Sequence, residues 1–143
     1  LQAGHLSTAR LADELAAIGA YLDMEKLRFE ERLQLSWQIE PGLDDVKLPP
    51  MALQTLVENA VKHGVERSSG ACQVKISARR IAGAVALSVA NRGRIRDSSE
   101  STGLGLANTG KRLDLLFGSA ASCELIEKEG WVMASIVLPQ TSS

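Results

Sequence analysis

Hydrophobic and polar residues alternate along the chain with two periods, one typical of helices and the other of strands. Apolar side chains recur at helical spacing from Leu11 to Leu22, which predicts a first helix over residues 7–31. Ser7 or Thr8 is placed to cap the start of that helix.

Five stretches alternate apolar and polar residues with a period of two, which predicts strands with one buried face. They are residues 32–40, 72–80, 84–90, 122–130 and 131–139. Only a short turn separates the second stretch from the third, so we expect these two to form a hairpin. The fourth and fifth stretches meet at a Glu-Gly turn and close the chain as a second strand pair.

The stretch "LQTLVENAVKHGV", residues 53–65, predicts a second helix that ends near Gly64. Its apolar residues share one face: Leu53, Leu56, Val57, Ala60 and Val61. The opposite face carries Thr55, Asn59, Lys62 and His63, and Glu58 lies at its edge. Two interpretations stay open for these polar residues, because they either face solvent or line a binding site.

Asn59 is the residue that favours a site. Exposed helix positions usually hold Glu, Lys or Gln, whereas Asn has only average helix propensity. An Asn carbonyl oxygen is a hard, neutral metal ligand, and Lys62, one turn later, is a natural phosphate partner. The simpler alternative is a surface ion pair between Glu58 and Lys62.

Periodicity is lost over residues 91–104, a long connection of the kind that often forms a lid or binding loop. We expect a third helix from Gly105, so that Gly103 and Gly105 present backbone N–H groups where a helix begins. That arrangement binds anions, although a plain turn fits equally well. Asn91, at the end of a strand, either pairs with a base edge or closes a turn.

The element order predicts one α+β domain of two layers, a mostly antiparallel sheet with helices on one face. The net charge of −1 and 3% aromatic content argue against nucleic-acid partners. Cys72 and Cys123 lack metal-site spacing, and no apolar run is long enough to span a membrane. We expect a cytoplasmic domain, and the start at Leu1 rather than Met suggests a piece of a longer protein.

The order of polar helix, strand-Asn-x-Gly, long loop and GLGL helix resembles the ATP-binding domain of the gyrase, chaperone, histidine-kinase and mismatch-repair superfamily. More narrowly, the chain is similar to LytS-type sensor histidine kinases. The matching segments are "LADELAAIGAYLDMEKLRFEERL", "LPPMALQTLVENAVKHGV" and "TGLGLANTGKRLDLLFG". The resemblance covers nearly the whole chain and implies a single domain, residues 1–143. Its fold would be the Bergerat (GHKL) two-layer α/β sandwich, with about three helices on one face of a mixed sheet.

The resemblance also implies roles for single residues. Asn59 matches the asparagine that ligates Mg²⁺, and Glu58 matches an acidic position that assists the metal, a water or the attacking group. Lys62 matches a phosphate-contacting lysine, and His63 a residue lining the ribose and phosphate region. Asn91 matches the residue that accepts a hydrogen bond from the adenine amino group.

Residues 92–104 correspond to the ATP lid, and the backbone amides of a glycine box at its end would cradle the phosphates. The nucleotide-contacting positions in these segments are Gly93, Thr102, Gly103, Leu104, Gly105 and Leu106. Several residues depart from the family pattern: Asn91 replaces Asp, Ile95 and Ser101 replace Gly, and Trp131 and Val132 replace a Gly-Thr pair.

The implied function is the ATP- and Mg²⁺-dependent catalytic domain of a two-component protein-histidine kinase. It would supply the γ-phosphate to a histidine on a separate helical segment, from which a response regulator is phosphorylated. That histidine lies upstream of Leu1, and His5 has the wrong surroundings, so we expect no autophosphorylation in this piece. The resemblance implies a membrane-attached, homodimeric parent.

Two alternatives remain open. A degenerate kinase-like domain would act through protein contacts with weak or absent ATP binding, which the departures at Asn91, Ile95 and Trp131 favour. An anti-sigma-factor type of serine kinase would fit the GLGL box, but it fits "YLDMEKLRFEERL" poorly. Binding of Mg·ATP would distinguish the kinase from the degenerate domain. Transfer of phosphate to histidine gives an acid-labile product, whereas transfer to serine gives an acid-stable one, which would distinguish the kinase from the serine kinase.

Overall fold

A computed structural model describes residues 7–64, 70–92 and 100–139 of the chain, with side chains in the third helix described from residue 107 onward. The helices are α1, Leu11–Phe29; α2, Ala52–Gly64; and α3, Glu100–Phe117. The strands are β1, Ala9–Arg10; β2, Leu33–Ile39; β3, Lys47–Leu48; β4, Cys72–Ile81; β5, Ala84–Arg92; β6, Ser122–Lys128; and β7, Trp131–Pro139.

Five strands form one mixed sheet in the order β2-β4-β5-β7-β6. The predicted hairpin of β4 and β5 is confirmed, as is the antiparallel pair of β6 and β7. β2 lies parallel to β4, with Leu33 beside Cys72, because the chain crosses through α2 before it returns to the sheet. The sheet is therefore mixed and mostly antiparallel, as expected.

The helices cover one face of this sheet, which confirms the two-layer α+β architecture. Alternate strand residues such as Ile76, Leu87 and Ile136 are fully buried on the covered face, where α2 packs on β4 and β5. Their neighbours, such as Lys75 and Ser88, lie on the opposite face, which we call the open face. Within the described ranges, no helix is long and apolar enough to cross a membrane.

The first helix begins at Leu11 instead of residue 7, so its predicted start was wrong. Ala9–Arg10 instead pairs with Lys47–Leu48 in a two-stranded antiparallel ribbon. The backbone N–H of Leu11 donates to the carbonyl of Val46 at 2.8 Å, which ties the start of α1 to this ribbon. Backbone pairing with a distant segment therefore replaces the side-chain cap that the sequence suggested.

The third helix begins at Glu100, five residues before the predicted start at Gly105. An acidic residue is favourable in the first turn, and α3 packs on both α2 and β6. These contributions outweigh the low helix propensity of Gly103 and Gly105. The predicted lid range of 92–104 therefore includes a strand residue and the first turn of α3, and residues 93–99 lie outside the described part.

Candidate functional site

The polar face of α2 is largely shielded from solvent. Thr55, Glu58, Asn59 and His63 are half-buried, and Lys62 is exposed. The apolar face packs into the core as predicted, with Leu53 and Val57 fully buried. A simple solvated face would leave all five polar residues exposed, so this burial favours a site along α2.

Asn59 lies at the centre of that face with an unsatisfied amide. Its Nδ2 atom is buried and lacks a hydrogen-bond partner within the described part of the chain. Leaving such a group unpaired costs about 1–3 kcal/mol, so buried amides normally have partners. The unpaired amide therefore supports Asn59 as a ligand-binding residue.

Glu58 and Lys62 flank this asparagine on the same helix. The Glu58 carboxylate accepts a hydrogen bond from the Nε2 of Gln54 at 3.1 Å, one turn earlier. Its oxygens are thus held in place on the half-buried side of α2. Lys62 lies one turn after Glu58, where its exposed ammonium is suited to contact an anionic ligand.

The start of α2 is held by side chains from both neighbouring helices. The buried carboxylate of Glu14, on α1, accepts hydrogen bonds from the backbone N–H groups of Met51 at 3.1 Å and Gln54 at 3.3 Å. Arg112, on α3, donates from Nη2 to the carbonyl of Pro50. The helix that carries Asn59 is thereby anchored to α1 and α3.

Asn91 is buried at the end of β5, on the covered face. Its Nδ2 donates to the carbonyl of Arg92 at 3.0 Å. Its cross-strand neighbours, Val74 and Val132, have no polar side-chain atoms. The amide nitrogen is therefore committed to the backbone, and the carbonyl oxygen is the atom suited to accept from a ligand.

Gly64 brings the end of α2 against Asn91. A Cβ atom built on Gly64 would lie 2.6 Å from the Cys72 sulfur and 3.3 Å from Nδ2 of Asn91, so only glycine fits. Burial raises the pKa of the Cys72 thiol, and a hydrogen bond from the Arg92 backbone opposes that shift. Asn59 is five residues before Gly64, or about 7 Å along the helix axis. Asn59 and Asn91 therefore both lie near the end of α2.

The start of α3 lies far along the helix from the contact that joins α3 to the start of α2. Arg112 contacts Pro50, and Glu100 lies twelve residues earlier in the helix, about 18 Å away from that contact along the axis. Free N–H groups belong to the first turn of a helix, which in α3 is near Glu100–Thr102. The expectation that the helix begins at Gly105, with Gly103 and Gly105 presenting its free N–H groups, was wrong, because both glycines lie inside the helix.

Trp131 makes cation–π contacts with two basic side chains from neighbouring strands of the sheet. Its ring on the open face lies under the guanidinium of Arg92, 4.8 Å from carbon to ring centroid. The ammonium of Lys75 lies 4.4 Å from the same centroid. The departure from the family pattern at this position has thus brought two cations onto one ring.

Some predicted positions cannot be located in this geometry. Gly93, Ile95 and His5 lie outside the described residues, as do the side chains of residues 100–106. Across the described ranges, no three His, Cys, Asp or Glu side chains gather where they could hold a metal ion. The candidate metal ligand is therefore a single asparagine.

Glu14 is the residue that the sequence interpretation missed. It shares the helical spacing of Leu11, Ile18 and Leu22, and all four are buried. A carboxylate on the apolar face of a helix is unusual unless it has partners, so this spacing was the available signal.

The chain is similar to sensor histidine kinases over most of its length. It is 39% identical over 119 residues to the sensor histidine kinase BtsS of Escherichia coli K12, covering 80% of this chain and 21% of BtsS. It is 30% identical over 152 residues to the sensor protein LytS of Staphylococcus saprophyticus, covering 97% of this chain and 26% of LytS. The chain thus spans about a quarter or less of the curated relatives it matches. No protein-family model matches it.

Solved structures with the same fold include histidine kinases and their catalytic domains. The nucleotide-free catalytic domain of ThkA superposes with a TM-score of 0.69 at 16% identity, covering 95% of this chain and 99% of that one. ThkA in complex with the response regulator TrrA gives 0.68 at 14% identity, covering 94% and 42%. Full-length ShkA in complex with AMPPNP gives 0.62 at 20% identity, covering 93% and 31%.

Proposed function

The chain belongs to the sensor histidine kinase family, and we propose that it is the domain that binds Mg·ATP and donates the γ-phosphate. The acceptor would be a histidine on a separate helical segment of the parent protein, which passes the phosphate to a response regulator. The observation that carries the proposal is the buried Nδ2 of Asn59, which has no partner among the described residues and lies on a half-buried polar helix face. This nitrogen would donate to a phosphate oxygen, and the oxygen of the same amide would be the metal ligand.

The residues of α2 fit a magnesium–phosphate unit. Mg²⁺ keeps several waters and takes one or two protein oxygens together with substrate phosphates, so a single asparagine oxygen from Asn59 is a sufficient protein contribution. When bound, the ion would neutralise phosphate charge. Lys62 would contact a phosphate oxygen, and Glu58, oriented by Gln54, would act beside them on a water or the attacking group.

Positioning of the phosphate chain accounts for most of the catalysis that such a site requires. The free amides in the first turn of α3 and the positive end of its dipole suit an anion. The amides of Ser101 and Thr102 would then hold the phosphates, and the glycines among residues 103–106 would allow the close approach of the ligand. His63 would line the ribose side.

Asn91 would recognise the base. Its Nδ2 already donates to the Arg92 carbonyl, so its oxygen is suited to accept from the adenine amino group. This bond is uncharged and is expected to be weaker than one to a carboxylate.

Complexes of proteins with the same fold support the expected partners of the parent protein. ThkA forms a complex with a response regulator, and ShkA binds the nucleotide analogue AMPPNP. By analogy, we expect this domain to act with a phosphoacceptor-histidine segment and a response regulator. The family resemblance further favours a membrane-attached, homodimeric parent with this domain on the cytoplasmic side.

Calorimetric titration with ATP, in the presence and absence of Mg²⁺, tests the proposal. Asn59→Ala should abolish Mg²⁺-dependent binding while the circular dichroism spectrum stays unchanged. Asn59→Asp should retain it, because a carboxylate also provides a hard oxygen ligand. Gln73→Ala is the matched control, because it removes an exposed side-chain amide on the open face. This variant should bind Mg·ATP as the parent does. Parent-like Mg·ATP binding by Asn59→Ala would refute the metal assignment.

A second function is favoured by one observation, the Trp131 ring in place of a small residue. A degenerate domain that works through protein contacts would tolerate a bulky ring and two stacked cations near its base site. Absence of ATP binding by the folded parent up to millimolar concentration would favour this function over kinase activity.

A further inference from the structure

Trp131 and Asn91 lie on opposite faces of the sheet but are joined by one residue. Trp131 is the cross-strand partner of Arg92, and Val132 is the partner of Asn91. Because successive strand residues point to opposite faces, Arg92 extends over the open face while Asn91 points into the covered layer. Arg92 therefore connects the aromatic ring to the candidate base-binding amide.

Several contacts hold Arg92 at the end of β5. Its guanidinium stacks on Trp131, and its Nη1 donates to the carbonyl of Glu129 at 3.4 Å. Its backbone N–H bonds to the buried thiol of Cys72, and its carbonyl accepts from Asn91. Pairing of β5 with β4 stops at Asn91, so Arg92 pairs only with β7 in this sheet. The stacked ring thus reinforces a strand end beyond the last residue that β5 pairs with β4.

The orientation of the Asn91 amide decides what it can recognise. An asparagine offers a donor and an acceptor, and a half-turn of the amide exchanges them. With the nitrogen bound to the Arg92 carbonyl, the oxygen is presented and matches the amino group of adenine. The reversed amide would present its NH₂ group, which matches the carbonyl of guanine.

We propose that Trp131 is a specificity-determining positioning residue, because its stacking on Arg92 fixes the carbonyl that holds the Asn91 amide in its adenine-accepting orientation. The ring acts through Arg92 and does not touch the nucleotide. This inference rests on the proposed function, since it requires Asn91 to bind the base.

The ratio of GTP to ATP dissociation constants is the quantity that this mechanism controls. Without the ring, Arg92 loses its stacking partner and the carbonyl gains freedom, so Asn91 is able to present either group. One misoriented hydrogen bond corresponds to a factor of up to about ten in affinity, and we expect the preference for ATP to fall by about five- to tenfold.

The test measures both dissociation constants by calorimetry for the parent chain and five variants. Trp131→Ala and Arg92→Ala should both lower the ATP preference, and the double variant should lower it no further. Trp131→Phe should largely restore it, because Phe also stacks on a guanidinium. Lys75→Ala is the matched control, since it removes the other stacked cation and should leave the preference unchanged.

The outcomes separate this inference from the proposed function. A folded parent that binds no ATP overturns both. A parent that binds ATP, with an unchanged preference in Trp131→Ala and Arg92→Ala, overturns only the positioning role. An equal loss in Lys75→Ala also overturns it, because the effect would then reflect general disturbance of the ring. If Trp131→Ala fails to fold, Arg92→Ala and Trp131→Phe still decide the result.

Discussion

Glu14 is expected to be one of the most sensitive positions for stability outside the apolar core. The residue is 6% exposed, and its carboxylate accepts hydrogen bonds from two backbone N–H groups at the start of α2. The replacement Glu14→Ala leaves both groups without their acceptor and removes a negative charge from the positive end of a helix dipole. It also leaves a small cavity between α1 and α2.

The expected cost is about 2–3 kcal/mol. A lost helix cap typically costs about 1 kcal/mol, and a partly buried charge at a helix end contributes up to about 2 kcal/mol. Relief from burying a carboxylate offsets part of this sum. Glu14→Gln keeps one acceptor oxygen but turns a donor toward a backbone N–H, so about half of that loss is expected.

Urea denaturation followed by far-ultraviolet circular dichroism measures the change in the free energy of unfolding. Asp23→Ala is the control, because Asp23 is an exposed acidic residue on the same helix and should change stability by less than about 0.5 kcal/mol. If Glu14→Ala is as stable as Asp23→Ala, the carboxylate does not cap α2 and the reasoning fails.

Two further predictions concern packing and pH. Gly64→Ala should destabilise the fold by about 1–3 kcal/mol in the same assay, because its Cβ would meet the Cys72 sulfur, whereas Gly19→Ala, where the space is open, should stabilise it. Burial raises the pKa of Cys123 from 9.0 to about 11, so the unfolded chain loses this proton at lower pH than the folded one. Stability should therefore fall as pH rises from about 9 to 11. This fall should be smaller in Cys123→Ser, and an identical pH profile would contradict the assignment.

Periodicity predicted most of the elements because each of them buries one face. In β4, Val74 and Ile76 are fully buried while Gln73 and Lys75 are exposed, and that alternation is visible in the sequence. The pairing of β2 with β4 was not visible, because a buried face records which side of a strand is covered but not which strand lies beside it.

Features that depend on distant backbone contacts were missed. The ribbon of β1 and β3 has two residues per strand, too few for any periodicity to show. The first turn of α3 has a polar sequence with a glycine, and it continues a helix that packs on α2 and β6. Local propensity cannot report contacts of this kind.

The candidate site was predicted in its residue types but not in its hydrogen bonds. Asn59 was selected because asparagine is unusual on an exposed helix face, and its buried amide supports that choice. The bond from Asn91 to its neighbour's carbonyl and the capping by Glu14 both depend on side-chain orientation. Orientation follows from the packed structure and is not encoded in spacing.

The position of Trp131 also gives the protein an intrinsic fluorophore on the opposite face of the sheet from its proposed base site. The chain has two tryptophans, and Trp37 lies on β2, separated from β7 by two strands of the sheet. The single replacement Trp37→Phe would leave one emitting ring, stacked on Arg92 next to Asn91. The emission of that ring would then follow events at this corner of the sheet in real time, without an attached dye.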